Sequence, residues 1–135
     1  MPKWQRHYRV NLSLTEEQSL IQDMARKFAS CELAPIAARL DEGRDGEIFR
    51  ENLSKLAGLG FMGMNTSAEF GGTEAGAVAF SVAVTEIARA CASTAVTMSV
   101  TNMVGEVIQS IGSEEQKSRH LPRLCSGEYP AGAFC

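Results

Sequence analysis

The sequence contains little of what a metal site, a disulfide framework or a nucleic-acid surface requires. Four cysteines occur in 135 residues, none in a C-x-x-C pair, and only two histidines accompany them, so we predict no metal site. No secretory apolar region opens the chain, and we expect reduced thiols in a cytoplasmic compartment. The net charge of -3 at pH 7 offers no basic face, which argues against a nucleic-acid partner.

Long apolar runs, nucleotide-binding loops and strand patterns are missing as well. The longest uncharged run, Ala90–Gly105, is shorter than the ~20 residues that cross a bilayer and contains polar residues, so we predict no membrane span. There is no G-x-S-x-G elbow, P-loop or dinucleotide fingerprint. No run alternates polar and apolar residues well enough to predict a sheet.

The sequence does contain a series of helix signals. Thr15-Glu16-Glu17-Gln18 and Ser113-Glu114-Glu115-Gln116 have the pattern of capping boxes. Apolar spacing predicts helices from residue 15, over about 47–57, over 74–90, and from a cap at Ser93 or Thr94 to residue 111. A last short helix is predicted to end near Leu121, before Pro122. About five helices with short connections predict an all-α, up-and-down helical bundle.

Apolar residues at helical spacing predict the core-facing stripe of each helix. These residues are Leu20, Ile21, Met24, Phe28 and Cys31, then Phe49, Leu53 and Leu56, then Ala77, Phe80, Val84, Ile87 and Cys91, and last Val96, Val100, Met103, Val104, Val107, Ile108 and Ile111. Gly58, Gly60 and Gly112 are candidate helix C-caps. The segment 61–72 has no helical period and is predicted to be a loop between helices.

The neutral stretch Ala90–Gly105 is the most informative of these helices. It carries no charge between Arg89 and Glu106, and it is rich in small residues. A helix with no charged face is expected in the centre of a core or in the wall of a ligand cavity. The residues themselves leave both possibilities open.

No group of residues forms a self-contained catalytic site, so we assign no catalytic residue. Glu86 is expected to pair with Arg89 three positions along the same helix. Glu106 is expected to be a solvated helix residue, and His120 a surface or capping residue.

Residues 1–14 carry basic side chains and no acid, and we expect a basic N-terminal tail, with a transit peptide as the alternative.

Several segments, taken together, resemble the acyl-CoA dehydrogenase family. They are Leu14-Thr15-Glu16-Glu17-Gln18, Leu59-Gly60-Phe61-Met62-Gly63, Glu69-Phe70-Gly71-Gly72, Gly112-Ser113-Glu114-Glu115-Gln116-Lys117, Leu121-Pro122, Ser126-Gly127-Glu128 and Gly132-Ala133-Phe134. Their order and spacing make the resemblance specific. It implies that residues 15–130 are the amino-terminal helical domain of a three-domain subunit, and that 131–135 begin the middle β domain.

The resemblance implies a flavoprotein oxidoreductase of fatty acid metabolism that oxidises acyl-CoA to 2-enoyl-CoA. In the family, a glutamate base removes the α-proton, and a hydride passes from the β-carbon to the flavin of FAD. The base belongs to a later domain, so none is assigned here. Phe134 and Cys135 match the first residues of the family's flavin-contacting segment.

The resemblance also places four residues of the neutral helix near the acyl tail. These substrate-contacting candidates are Ala95, Ser99, Val100 and Met103. Plain core packing is the alternative for all four. Val96 and Val104 are expected to face the bundle instead. The small side chains at Ala95 and Ser99 would leave room for a tail of some length.

Partners follow from the same resemblance. It implies an acyl-CoA substrate, an electron-transfer flavoprotein or similar acceptor, and a homo-oligomer at full length, with the mitochondrial matrix as the alternative to the cytoplasm.

Two other functions stay open as alternatives. One is a fragment of an acyl-CoA oxidase or flavin monooxygenase on the same scaffold. The other is a non-catalytic helical interaction module in which the neutral helix is a docking face.

Overall fold

The computed structural model describes residues 12–135, so most of the tail predicted for residues 1–14 lies outside the described residues. Six α-helices occur in this part of the chain: α1 (Glu16–Phe28), α2 (Ala37–Asp41), α3 (Gly46–Gly58), α4 (Gly76–Ala90), α5 (Ala92–Ile111) and α6 (Glu114–Cys125). A π-helical turn, Ala29–Leu33, continues α1. Residues 12–135 contain no strand, and the predicted all-α bundle is confirmed.

Both predicted capping boxes are present at the starts of α1 and α6. The backbone N–H of Gln18 donates to Thr15 Oγ1 (3.2 Å), and the N–H of Thr15 donates to Gln18 Oε1 (3.0 Å). Ser113 and Gln116 repeat the arrangement at α6. Two backbone donors are therefore satisfied at each helix start. Gly112 is the C-cap of α5, as predicted.

Two predicted helix ends were wrong. The helix α6 continues through Pro122 to Cys125, because Leu124 and Cys125 are buried and their burial outweighs the lost backbone hydrogen bond. The helix α5 begins directly after Cys91, with no side-chain cap. Thr94 lies inside its first turn, fully buried, and donates to Cys91 Sγ at 3.2 Å.

The face of α5 that packs into the bundle is the opposite of the predicted one. Val96 is 62% exposed, Met103 47% and Ile111 82%. The buried residues of the helix are Thr94, Ala95, Met98, Thr101, Asn102 and Gly105. Small residues on this side allow neighbouring side chains to approach the helix closely: a Cβ added at Gly105 would lie 2.9 Å from Thr66 Oγ1.

The first and fourth helices show the same preference for small residues at their contact. In α1, Leu20 is 65% exposed, and the buried side carries Ala25 and Phe28. In α4, Ala79 and Ala83 are buried with Ile87, while the predicted Ala77 is exposed. The stripes predicted for α1 and α4 were therefore partly wrong, since alanines occupy part of the buried side of each helix. In α3, Leu53 and Leu56 are buried, as predicted.

The segment between α3 and α4 has no long helix, as predicted, but it belongs to the core. Two single 3₁₀ turns, Phe61–Gly63 and Ala68–Phe70, occur within it. Phe61, Met62, Met64 and Thr66 are all nearly inaccessible. We call residues 61–72 the core loop.

Side chains of α5 satisfy the backbone of the core loop. Asn102 Oδ1 accepts from the N–H of Met64 (2.7 Å), and Asn102 Nδ2 donates to the carbonyl of Phe61 (2.8 Å). Gln109, seven residues further along the same side of the helix, accepts from the N–H of Ser67 (2.7 Å). Buried backbone polar groups need such partners, so these polar residues allow an irregular segment to lie inside the protein.

Replacing Gly72 by alanine is expected to destabilise the protein by roughly 3 kcal/mol, because a Cβ there would lie 2.0 Å from the carbonyl oxygen of Thr66. Gly58→Ala is the matched control, since a Cβ at Gly58 meets nothing within 4 Å. Urea unfolding of both variants measures the difference. Equal midpoints for the two variants would contradict the close packing of the core loop.

Candidate functional site

Both groups of predicted site residues belong to α5 or to the segment that lies against it. We call residues 131–135 the terminal segment. The backbone N–H of Gly132 donates to Thr101 Oγ1 at 3.0 Å. A Cβ at Gly132 would lie 2.9 Å from the Cβ of Val104, so the backbone passes very close to the helix. The geometry therefore joins the predicted flavin-contacting residues to the predicted acyl-pocket helix.

The flavin-contacting candidates lie at the exposed end of the terminal segment. Phe134 is 54% exposed, and Cys135 is exposed with a free thiol. Neither residue lies in a helix or strand. The ring of Phe134 is accessible to a group that binds beside α5.

The acyl-contacting candidates occupy different sides of α5. Ala95 is 4% exposed and belongs to the hydrophobic core, so the structure does not place it on an accessible face. Ser99 and Val100 are half-buried, and Met103 is 47% exposed. The burial of Ala95 favours the core-packing alternative for that residue. An acyl-contacting role of Ser99, Val100 and Met103 stays a prediction.

An apolar stripe on α5 faces away from the bundle. Val96, Val100, Met103 and Val107 follow one another at helical spacing on this side, which we call the open face. The prediction that Val96 faces the bundle was wrong. Val104 lies at the edge of this stripe, half-buried beneath Gly132. The uncharged helix therefore has a core side and an accessible apolar side.

Glu86 is a buried carboxylate, but its contacts make it a structural residue. Its Oε1 accepts from Arg26 Nη2 (3.0 Å) and from Gln22 Nε2 (3.1 Å), and its Oε2 accepts from Arg26 Nε (3.3 Å). The hydrogen bonds from Arg26 hold the pKa of Glu86 below its ordinary value. A carboxylate stabilised in its charged form is a poor general base.

The main partner of Glu86 is Arg26 on α1, while Arg89, the partner predicted from the sequence, adds a smaller charge interaction that also lowers the pKa of Glu86. Sequence reasoning missed the long-range pair because Arg26 is 60 positions away. A signal was present, since Glu86 lies at helical spacing from Ala79 and Ala83 on the buried side of α4. A cavity of about 520 Å³ adjoins the pair and is lined by Arg26, Ala29, Ser30, Ala34, Glu86, Arg89 and Ala90.

The remaining titratable candidates are on or near the surface. Glu106 is exposed, as predicted, and its Oε1 accepts from Asn65 Nδ2 at 2.5 Å. His120 is half-buried, with Nδ1 at 3.3 Å from the hydroxyl of Tyr129.

Residues 12–135 contain no group of three or more potential metal ligands. No described helix is long and apolar enough to cross a membrane.

Comparison with known proteins shows the family to which the helical part of the chain belongs. The sequence model described as "Acyl-CoA dehydrogenase, N-terminal domain" matches residues 15–128. This chain belongs to the acyl-CoA dehydrogenase family. The match covers all six helices, from the start of α1 to the end of α6.

Relatives and solved structures extend well beyond the region they share with this family member. Acryloyl-CoA reductase (NADH) from Anaerotignum propionicum is 36% identical, over 98% of this chain and 33% of the relative. The short-chain specific acyl-CoA dehydrogenase of Clostridium acetobutylicum is 37% identical, over 88% and 31%. The acyl-CoA dehydrogenase of Bacillus anthracis complexed with FAD aligns with a TM-score of 0.78 and 26% identity, over 86% and 20%. The chain spans about a third of the length of the curated relatives it matches.

Replacing Glu86 by glutamine is expected to lower stability at neutral pH and to flatten its acid dependence. The folded-state pKa of Glu86 lies below the ordinary value of 4.5, so the charged form stabilises the fold above that value. This stabilisation disappears as the pH falls through the lower folded-state pKa. The wild type and E86Q should therefore converge in acid.

Urea unfolding over a pH series measures the effect. Glu69→Gln, at an exposed position in the core loop, serves as the control for loss of one carboxylate. Parallel pH profiles for E86Q and wild type would show that the Arg26 pair does not shift the titration of Glu86.

Proposed function

We propose that this chain is the amino-terminal part of a flavin-dependent acyl-CoA dehydrogenase, which oxidises acyl-CoA to 2-enoyl-CoA. The observation that carries the proposal is the hydrogen bond between Gly132 and Thr101. It holds the segment that ends in Phe134 and Cys135 against the helix that carries Val100 and Met103. Family membership and the names of the two curated relatives support the same chemistry.

The chain contributes one wall of the acyl pocket. Val100 and Met103 on the open face present apolar, uncharged surface to a fatty acyl tail, with Ser99 beside them. An apolar wall excludes water from the reacting carbons, and it orients the tail so that the reacting bond stays in place. Ala95 supports this wall from the core side, where its small side chain lets α5 pack closely.

The terminal segment contributes the edge of the flavin site. Its backbone is anchored at Gly132, while Phe134 and Cys135 remain exposed two and three residues further on. An anchored backbone with an accessible aromatic ring fits a planar cofactor, and FAD is named with the Bacillus anthracis relative. The flavin supplies the hydride-accepting chemistry when bound. The protein residues position it.

A second candidate is the same transformation in the reductive direction. The relative that aligns with 98% of the chain is named an acryloyl-CoA reductase (NADH). The pocket wall and flavin edge described here serve either direction, because both act on the same carbon–carbon bond. Assays of the intact protein with acyl-CoA plus an artificial electron acceptor, and with 2-enoyl-CoA plus NADH, separate the two.

The partners of the intact protein belong to this proposal. They are an acyl-CoA substrate, an electron-transfer flavoprotein or similar acceptor, and further copies of the subunit in a homo-oligomer. The cytoplasm is the proposed compartment, with the mitochondrial matrix as the alternative. The oxidase, monooxygenase and interaction-module readings remain alternatives.

The 135-residue chain alone is expected neither to retain FAD nor to oxidise acyl-CoA. It offers only the edge of the flavin site, and one exposed ring is too small a contact to hold the cofactor. Visible absorbance of the purified chain after incubation with FAD and gel filtration measures retention. A yellow, flavin-loaded chain would contradict the expectation, and the intact subunit is the positive control.

In the intact enzyme, Ser99→Trp is expected to lower kcat/KM for long acyl chains at least about tenfold while short chains are spared, because the indole occupies pocket volume. Ser110→Trp is the control, since it lies eleven residues further along α5, or about 16 Å. Initial rates across a series of acyl-CoA lengths measure the profile. An unchanged profile would contradict the placement of Ser99 beside the pocket.

A further inference from the structure

We propose that Thr101 is a positioning residue that sets the distance between the flavin-contacting segment and the acyl-pocket helix. The inference rests on the proposed function, and it assigns a role to a residue outside the predicted substrate-contacting and flavin-contacting sets. Thr101 is completely buried on the core side of α5. Its hydroxyl accepts the hydrogen bond that holds the terminal segment against α5.

The hydroxyl of Thr101 is both a hydrogen-bond donor and a hydrogen-bond acceptor. Thr101 Oγ1 donates to the carbonyl of Thr97 at 2.7 Å and accepts from the N–H of Gly132 at 3.0 Å. A hydroxyl has one proton and two lone pairs, so donation to Thr97 directs the proton away and leaves a lone pair for Gly132. The helix backbone therefore orients the acceptor that receives the terminal segment.

Close packing acts at the same point as the hydrogen bond. A Cβ at Gly132 would lie 2.9 to 3.2 Å from three side-chain atoms of Val104, which is one helical turn from Val100. The segment cannot move nearer to α5, and the hydrogen bond prevents it from moving away. Phe134 follows two residues later, so its ring position depends on this contact.

Thr97 provides a matched control within the same helix. Its Oγ1 donates to the carbonyl of Ser93 at 2.9 Å, which is the same kind of bond that Thr101 makes to Thr97. Thr97 is half-buried, and it makes no hydrogen bond to Gly132. Valine at either position removes a hydroxyl and keeps the shape of the side chain, but only Thr101→Val removes the acceptor for Gly132.

The experiment uses the intact flavin-loaded subunit with three variants: Thr101→Val, Thr101→Ser and Thr97→Val. We expect T101V to weaken FAD binding about tenfold, to alter the flavin absorbance spectrum and to speed amide exchange at Gly132, because the partly buried hydrogen bond to Gly132 is lost. T101S keeps the hydroxyl and should bind FAD within about twofold of wild type. T97V should match wild type in all three measurements.

Each negative result of this experiment would contradict a different claim. Equal loss of flavin affinity in T101V and T97V, or no rescue by serine, would mean that Thr101 acts only through helix stability, and the inference would be wrong. Faster Gly132 exchange with unchanged flavin affinity and spectrum would overturn the positioning role alone. A wild-type subunit that binds no flavin would overturn the proposed function, and this inference with it.

Discussion

Asn102 makes three hydrogen bonds in the interior, and the arrangement of the bundle depends on them. Its side chain accepts from the N–H of Met64 and donates to the carbonyls of Phe61 and Met98. An irregular segment can lie in a core only when its backbone polar groups find partners. Asn102 supplies them at the centre of α5, which ties the longest helix to the segment between α3 and α4.

The open face of α5 lies opposite the side that meets the core loop. That side carries Thr94, Thr101, Asn102 and Gly105 together with the apolar Met98. Val96, Met103 and Val107 lie on the open face, where they form an accessible surface. A helix with its apolar side outward is costly for an isolated domain but suits a wall that other parts of a larger protein cover.

Electrostatics in the bundle serve the fold. Glu86 is buried between α1 and α4, and Arg26 keeps it charged. Loss of Arg26 is costly, because the buried Glu86 carboxylate would be left without its main charge partner, whereas Arg26 itself is half exposed. The chemistry that we propose therefore draws on the apolar face and the terminal segment, while the buried carboxylate joins two helices.

Local sequence was sufficient for the two capping boxes and the Gly112 cap, because these depend on residues within one turn of each other, whereas the short helix α2 was not predicted. The family was also recognisable from several short motifs that follow one another in the expected order along the chain. Which side of each helix is buried was decided only by tertiary structure. Periodicity reports an apolar stripe, but close contacts select Ala25, Ala83 and Gly105 instead. The Arg26–Glu86 pair and the Thr101–Gly132 contact join residues 60 and 31 positions apart, so no local pattern contains them.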